Sequence, residues 1–250
     1  MSIEQKAMGR RSWVLLAFSI PVFLLLLALG TWQVQRLHWK EGLLQRIDER
    51  IASQPVPFDE IAALYDRGED IDYRPTVLSG TFLHGAERHY LATWEGRSGF
   101  FVHTPLELAN GKYIFVNRGF VPYDRKDPGT RAEGQVEGAV EIGGLARTAP
   151  AEKPSFIVPD NDLAKNIFYW KDLAAMTRSA GLDPAEVYPF YVDANDAPNP
   201  GGLPVGGVTL INLPNNHLQY AVTWYGLAFA LVCVLVAWFR RGRGGGRPQA

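Results

Sequence analysis

Two long apolar runs bracket a middle stretch in which apolar residues recur at short, strand-like intervals. The first run, Trp13 to Leu29, reads WVLLAFSIPVFLLLLAL and holds no charge. Extended through Gly30, Thr31 and Trp32, it reaches the ~20 residues that, at about 1.5 Å each, cross a hydrocarbon core of about 30 Å. Pro21 is tolerated in such a helix where neighbours re-satisfy the backbone. The second run, Leu218 to Phe239, is of similar length, and Trp13 and Trp238 stand where an aromatic belt belongs. The pattern therefore predicts membrane helices over 13–32 and 218–239. A cleavable signal peptide is the rival for the first, with Lys6, Arg10 and Arg11 as its basic region and Ala28-Leu29-Gly30 as a cleavage site. The length of the run and the bulk of Trp32 favour an uncleaved anchor.

Between the runs, residues 33–217 carry a domain. Leu37, Leu44, Ile47 and Ile51 recur at helical spacing among charged residues, which predicts an amphipathic stalk over 33–53 that Pro55 and Pro57 end. A β-rich core follows. Strands are expected over Thr76–Phe82, Arg88–Trp94, Phe100–Leu106, Tyr113–Val121, Val136–Ala146, Val187–Asp193 and Val208–Leu213. Leu83–Glu87 reads as a hairpin connection, and Ala109-Asn110-Gly111-Lys112 as a stronger one because Asn-Gly suits a tight primed turn. A short helix is expected over Asp172–Ala180, with Asp172 as N-cap and Gly181 ending it. The fold class is thus a membrane protein in which two transmembrane helices anchor a β-rich domain, an antiparallel sheet or small barrel with some helix.

The formal charge of −1 gives no reason to expect nucleic acid. Basic residues cluster outside both runs, Lys6, Arg10 and Arg11 before the first and Arg240, Arg241, Arg243 and Arg247 after the second. Both ends, 1–12 and 240–250, are therefore expected in the cytoplasm, with the middle domain outside it. The tail has no apolar content and reads as disordered. The single cysteine, Cys233, falls inside the second run. The outer domain thus has no disulfide, no cysteine-built zinc site and no C-x-x-C-H for covalent haem attachment.

Candidate chemistry narrows to histidines. His84, His89 and His103 lack the spacing that sets two rings on one face, and they read as two exposed turn residues and one sheet-face residue. His217 opens the second apolar run as NNHLQYAVTWYGLA. Ala221, Trp224 and Tyr225 stack on its helical face, with Ala228 a turn further. A small residue below a histidine leaves room for a flat ligand, and imidazole is a common axial ligand of haem iron. The alternative is that Asn215, Asn216 and His217 form the polar start of a helix and satisfy its free amides. The outer end of the first run adds Trp32, Gln33, Arg36, His38 and Trp39, with Tyr220 at the same depth. Arg36 is a candidate for ligand carboxylates and His38 for a second axial position. An aromatic belt with snorkelling basic residues is the other reading of that set. No G-x-S-x-G, HExxH or phosphate-cradling loop is present, so a membrane-anchored hydrolase ranks last.

Five stretches, LGTWQVQRLHWKEGLL, YRPTVLSGTFL, GFFVHTPLEL, YIFVNRGFVP and NNHLQYAVTWYGLA, resemble the surfeit locus protein 1 family in its order, from Trp13 to Phe239. The resemblance implies an assembly factor, not an enzyme, that helps mature the catalytic subunit of cytochrome c oxidase. It implies non-covalent, transient handling of haem a, with His217 at the position of the family's proposed haem ligand. Implied partners are oxidase subunit I, the haem a synthesis enzymes and the lipid bilayer. A scaffold that never touches haem is the competing function. Trp32, Gln33, Tyr73, Arg74, Asn117, Arg118 and Gly119 are motif residues that also suit purely structural roles, an Arg-Gly pair often ending a strand at a turn. No arginine- and serine-rich leader is visible, so a bacterial inner membrane is expected before a mitochondrial one.

Overall fold

The computed structural model describes residues 10–209 and 215–244. Helix α1 (Arg10–Ile51) and helix α4 (His217–Gly244) carry the apolar runs. Both are long and apolar enough to cross a membrane, over Trp13–Ile51 and His217–Arg241. The chain divides into two compact units, one built on α4 and on α1 as far as Arg46, the other spanning Ile47–Ile211.

The second unit is a β barrel. Its strands are β1 (Val56–Pro57), β2 (Pro75–Phe82), β3 (Arg88–Trp94), β4 (Arg97–Leu108), β5 (Tyr113–Pro122), β6 (Ala139–Thr148) and β7 (Val187–Ala194), with helices α2 (Phe58–Asp66) and α3 (Leu173–Ser179). The order β1-β2-β6-β7-β5-β4-β3, together with a β2–β4 pairing, closes five strands into a ring and leaves β1 and β3 as additions. All pairs in the ring are antiparallel except β5–β7. Counting ring strands alone, the order is 1-2-3-5-4-1, the Greek-key closure of the OB type. Closure removes the open edges that a flat sheet would expose.

Strand alternation places the core. Ile114, Val116, Phe190 and Val192 pack with Leu78, Leu106 and Ala146 inside the ring, where Phe58, Ile61 and Leu64 of α2 join them. The intervening Phe115 and Tyr191 face the other way and pack with Phe168, Ala175 and Met176. The segment leading into α3 thus covers the outside of the barrel. Asp172 caps α3, accepting from the Ala175 amide at 2.9 Å.

Several expectations are corrected. Helix α2 has apolar residues at 58, 61 and 64, a helical period hidden between Pro57 and the first full strand. Leu83–Glu87 is no hairpin, because β2 pairs with β4 and β6 and never with β3. The chain instead makes a 3₁₀ turn at His84–Ala86 and drops Glu87 into the interior. Val208 and Thr209 are not in a strand, and the rest of that expected strand lies outside the described residues. Two strand pairs, β5–β7 in the ring and the short β1–β2, are parallel within an otherwise antiparallel sheet.

Glu87, 3 % exposed, is the hub of one barrel end. Arg131 grips it with both terminal nitrogens, at 3.2 and 2.5 Å. Arg118 approaches at 3.5 Å, and its guanidinium lies 4.8 Å from the Phe82 ring and donates to the Gly134 carbonyl. Arg118 and Gly119 thus sit inside β5 and do not end it at a turn. Gly119 has φ +122°, and a Cβ there would lie 1.9 Å from the Val205 carbonyl oxygen. Its neighbour Asn117 points outward and donates to Asp193 at 2.7 Å, the residue paired with it in register across β7. Arg147 and Thr209 complete the ring around Asp193. Tyr73, at φ +63°, places its ring 4.1 Å from the Arg147 guanidinium, and Arg74 donates to the Asp70 carbonyl. These motif residues build the barrel.

The three barrel histidines are not surface residues. His89 and His103 are 4 % and 1 % exposed, and His84 is half-buried. Glu87 lies 3.9 Å from His84 and 3.7 Å from His89, so an acidic neighbour does exist, though two arginines already engage it. Among the described residues no group of three metal-ligating side chains forms. Burial, above all, pushes the His89 imidazole down to about 4 and that of His103 to about 3, with nearby Lys171 adding to the latter.

Two outcomes follow from this barrel. Glu87→Gln leaves two buried guanidiniums without their carboxylate, and thermal unfolding should show a loss of about 3–5 kcal/mol. Both histidine values are depressed, so below the ordinary 6.5 the unfolded chain takes up protons that the folded chain refuses. Stability is therefore full above that value and falls as pH drops toward 4 and then 3, by up to about 1.4 kcal/mol per pH unit for each group. Neither ring nitrogen of His103 completes a hydrogen bond; its polar approach to the Phe101 main chain falls short of that geometry. His103→Phe should accordingly keep neutral-pH stability and reduce the acid slope in a pH series of melting curves.

Candidate functional site

The stretches LGTWQ, in the middle of α1, and NNHLQYAVTWYGLA, opening α4, meet in the unit the two helices share. Asn215 accepts from the His217 amide over a long 3.5 Å, so it does part of the capping work at the start of α4. The imidazole of His217 does something else. Its Nδ1 lies 2.7 Å from Oε1 of Gln33. An amide oxygen only accepts, so the proton sits on Nδ1 and Nε2 keeps its lone pair. Among the described residues Nε2 has no hydrogen-bond partner, and His217 is half-buried.

Two further links hold this pair. A Cβ on Gly30 would meet the Tyr225 ring at 2.8–3.0 Å, so only a glycine lets that ring lie against α1. Thr31 donates its hydroxyl proton to the Leu27 carbonyl at 2.9 Å. Tyr225 therefore donates in turn to Thr31 Oγ1, at 3.1 Å. Gly30, Thr31 and Gln33 are each fixed by one contact across the helices. Gln33 is 8 % exposed, and its buried amide oxygen finds the partner it needs in the His217 ring.

The other candidate residues fall into two groups. Ala221, like Ala228, is 2 % exposed, so these small side chains lie within the helix contact and no open space for a flat ligand adjoins them. Trp224 is half-buried, whereas Trp32 and Tyr220 are exposed, each on the turn that carries Gln33 or His217. Arg36 is exposed, with its guanidinium 5.1 Å from the Trp39 ring centroid. His38 is exposed and lies five residues beyond Gln33, about 140° around the helix. No contact joins it to His217 among the described residues.

Sequence reasoning singled out His217 but not what holds it. The signal was a glutamine at the end of an apolar run, one turn from a glycine, in a helix where neither has a packing reason to stand alone.

Two candidate membrane helices flanking a closed five-stranded barrel define the class of protein, and the first of them contributes the amide that orients the histidine of the second. A model of the SURF1 family matches residues 20–229, and the chain belongs to that family. It is similar to Surfeit locus protein 1 of Homo sapiens, 36 % identical over 93 % of this chain and 79 % of the human one. The Xenopus tropicalis protein of the same name is 37 % identical over 87 % of this chain and 72 % of its own. A SURF1-like protein of Monosiga brevicollis is 36 % identical over 99 % of this chain and 94 % of its own.

The hydrogen bond fixes a tautomer that can be read directly. Nitrogen-15 NMR of imidazole-labelled protein in micelles should show His217, assigned by its loss in His217→Ala, with Nδ1 protonated and Nε2 bare. Gln33→Leu should return it to a mixture of tautomers; an unchanged spectrum would show that Gln33 does not hold the ring.

Proposed function

We propose that this chain assists the maturation of the catalytic subunit of cytochrome c oxidase, taking up haem a at His217 and handing it on. The observation that carries the reading is the Nδ1-to-Gln33 hydrogen bond, which leaves Nε2 free and aimed by a fixed ring. Histidines that bind metals characteristically give their other N–H to such a partner. Membership of the SURF1 family and the resemblance of the motif around His217 support the same reading.

The donor set suits a cargo. One imidazole, no cysteine near it and no covalent link give an exchangeable attachment. Trp32 and Tyr220 offer apolar surface to the macrocycle, and Arg36 a charge for its acid groups. On this reading His217 ligates, Gln33 orients, and the chain itself catalyses no bond change. The location that fits is a bacterial inner membrane, with the barrel on its outer side. Oxidase subunit I is the recipient, and the haem a synthesis enzymes are the source.

The test is co-expression with haem a synthesis, purification in detergent and absorption spectra. Wild type should carry haem, and His217→Ala should lose the histidine-ligated spectrum. Gln33→Leu should weaken retention about 10–100-fold, as losing the partner of a ligating histidine does. Haem-free wild type that still co-purifies with the oxidase subunit would replace this reading with a scaffold.

A further inference from the structure

At the Glu87 end of the barrel a cavity of about 520 Å³ opens between β6 and the loop that follows β7. That is within the range of about 300–1,000 Å³ typical of small-ligand sites. Phe82, Val140, Ile142 and Pro198 give it apolar walls, and Arg118 lies in its lining. Arg118 is 2 % exposed, so the charge stands at the bottom of the cavity and not at its rim.

The charges at that bottom do not balance. Among the described residues Glu87 is the one carboxylate in contact with Arg118 and Arg131. His84, whose Nδ1 lies 3.3 Å from Arg118, adds no negative charge. Burial first, and then the guanidiniums, lower its pKa, so it stays neutral. Glu141 also lines the cavity, but it is exposed and solvent screens it. One buried positive charge is thus left over. The hydrogen bonds of Arg118 run through its two terminal nitrogens, and Nε has no partner among the described residues.

We propose that this cavity is a binding site for a medium-chain carboxylate, its acid group on Arg118 and its chain along Phe82, Val140 and Ile142. A monoanion cancels the surplus charge, and a planar carboxylate matches the guanidinium edge. A neutral amphiphile would leave that charge uncompensated. The site makes no use of His217, so it stands or falls separately from haem handling.

The test uses the full chain in phosphatidylcholine nanodiscs, labelled with a diazirine-bearing decanoate and mapped by peptide mass spectrometry. Adducts should fall on the segments 136–142 and 194–200. Unlabelled decanoate should suppress them about tenfold more effectively than decanol, which has the same chain without the charge. Val140→Trp fills the cavity from the strand, and Ala197→Trp fills it from the exposed wall, where folding is not at stake. Each should remove most of the labelling. Equal competition by decanol, or undiminished labelling in the Ala197→Trp protein, would overturn the proposal.

Discussion

The barrel depends on one carboxylate held by two guanidiniums. Glu87 comes from the connection between β2 and β3, Arg118 from the middle of β5, and Arg131 from the 3₁₀ segment after β5. A single buried charge therefore ties a loop, a strand and a cap that are far apart in the chain. Removing Glu87 leaves both guanidiniums charged in a medium that does not solvate them. The contrast with the opposite end is physical. There α2 closes the ring with Phe58, Ile61 and Leu64, and hydrophobic burial alone suffices. One end is sealed by grease, the other by charge.

The helix pair follows a different logic. Lipid chains are as apolar as leucine, so two helices in a membrane gain little from apolar contact and associate through close approach and polar links. Gly30 supplies the approach; Thr31 and Gln33 supply the links. Of the consecutive residues Gly30, Thr31, Trp32 and Gln33, three make contacts to α4, Thr31 from an exposed position, and Trp32 makes none of these contacts and is exposed. The identity of the residues at these positions follows from their partners on α4.

Much of this was legible in the sequence, for reasons that differ by element. Apolar runs long enough to span a membrane announce themselves, and so do strands such as Arg88–Trp94, where β-branched and aromatic residues sit between turn signals. The hairpin at Ala109–Lys112 and the Asp172 cap are local chemistry and were readable as such, although the turn is not the primed type expected: Gly111 alone takes a positive φ, and its amide donates to Leu108. Ring closure was not, because the β2–β4 contact joins Gly80 to Leu108 and no local pattern encodes that pairing. Helix α2 escaped because a nine-residue helix after two prolines offers barely two turns of periodicity. His217 was legible from its place beside an apolar run, but Gln33 as its partner was not, since 184 residues separate them.

The chemistry of that partner has a consequence of its own. A carboxylate opposite Nδ1 would draw the proton toward itself and make the imidazole a stronger base, and so a more tenacious donor at Nε2. Gln33 offers a neutral oxygen of nearly the same shape, which aims the ring without strengthening it. Orientation is thereby separated from charge: the amide oxygen fixes which way the ring points without bringing the negative charge of a carboxylate. On the proposed reading, in which the ligand is handed on, orientation without added charge is the half of the arrangement that transfer needs.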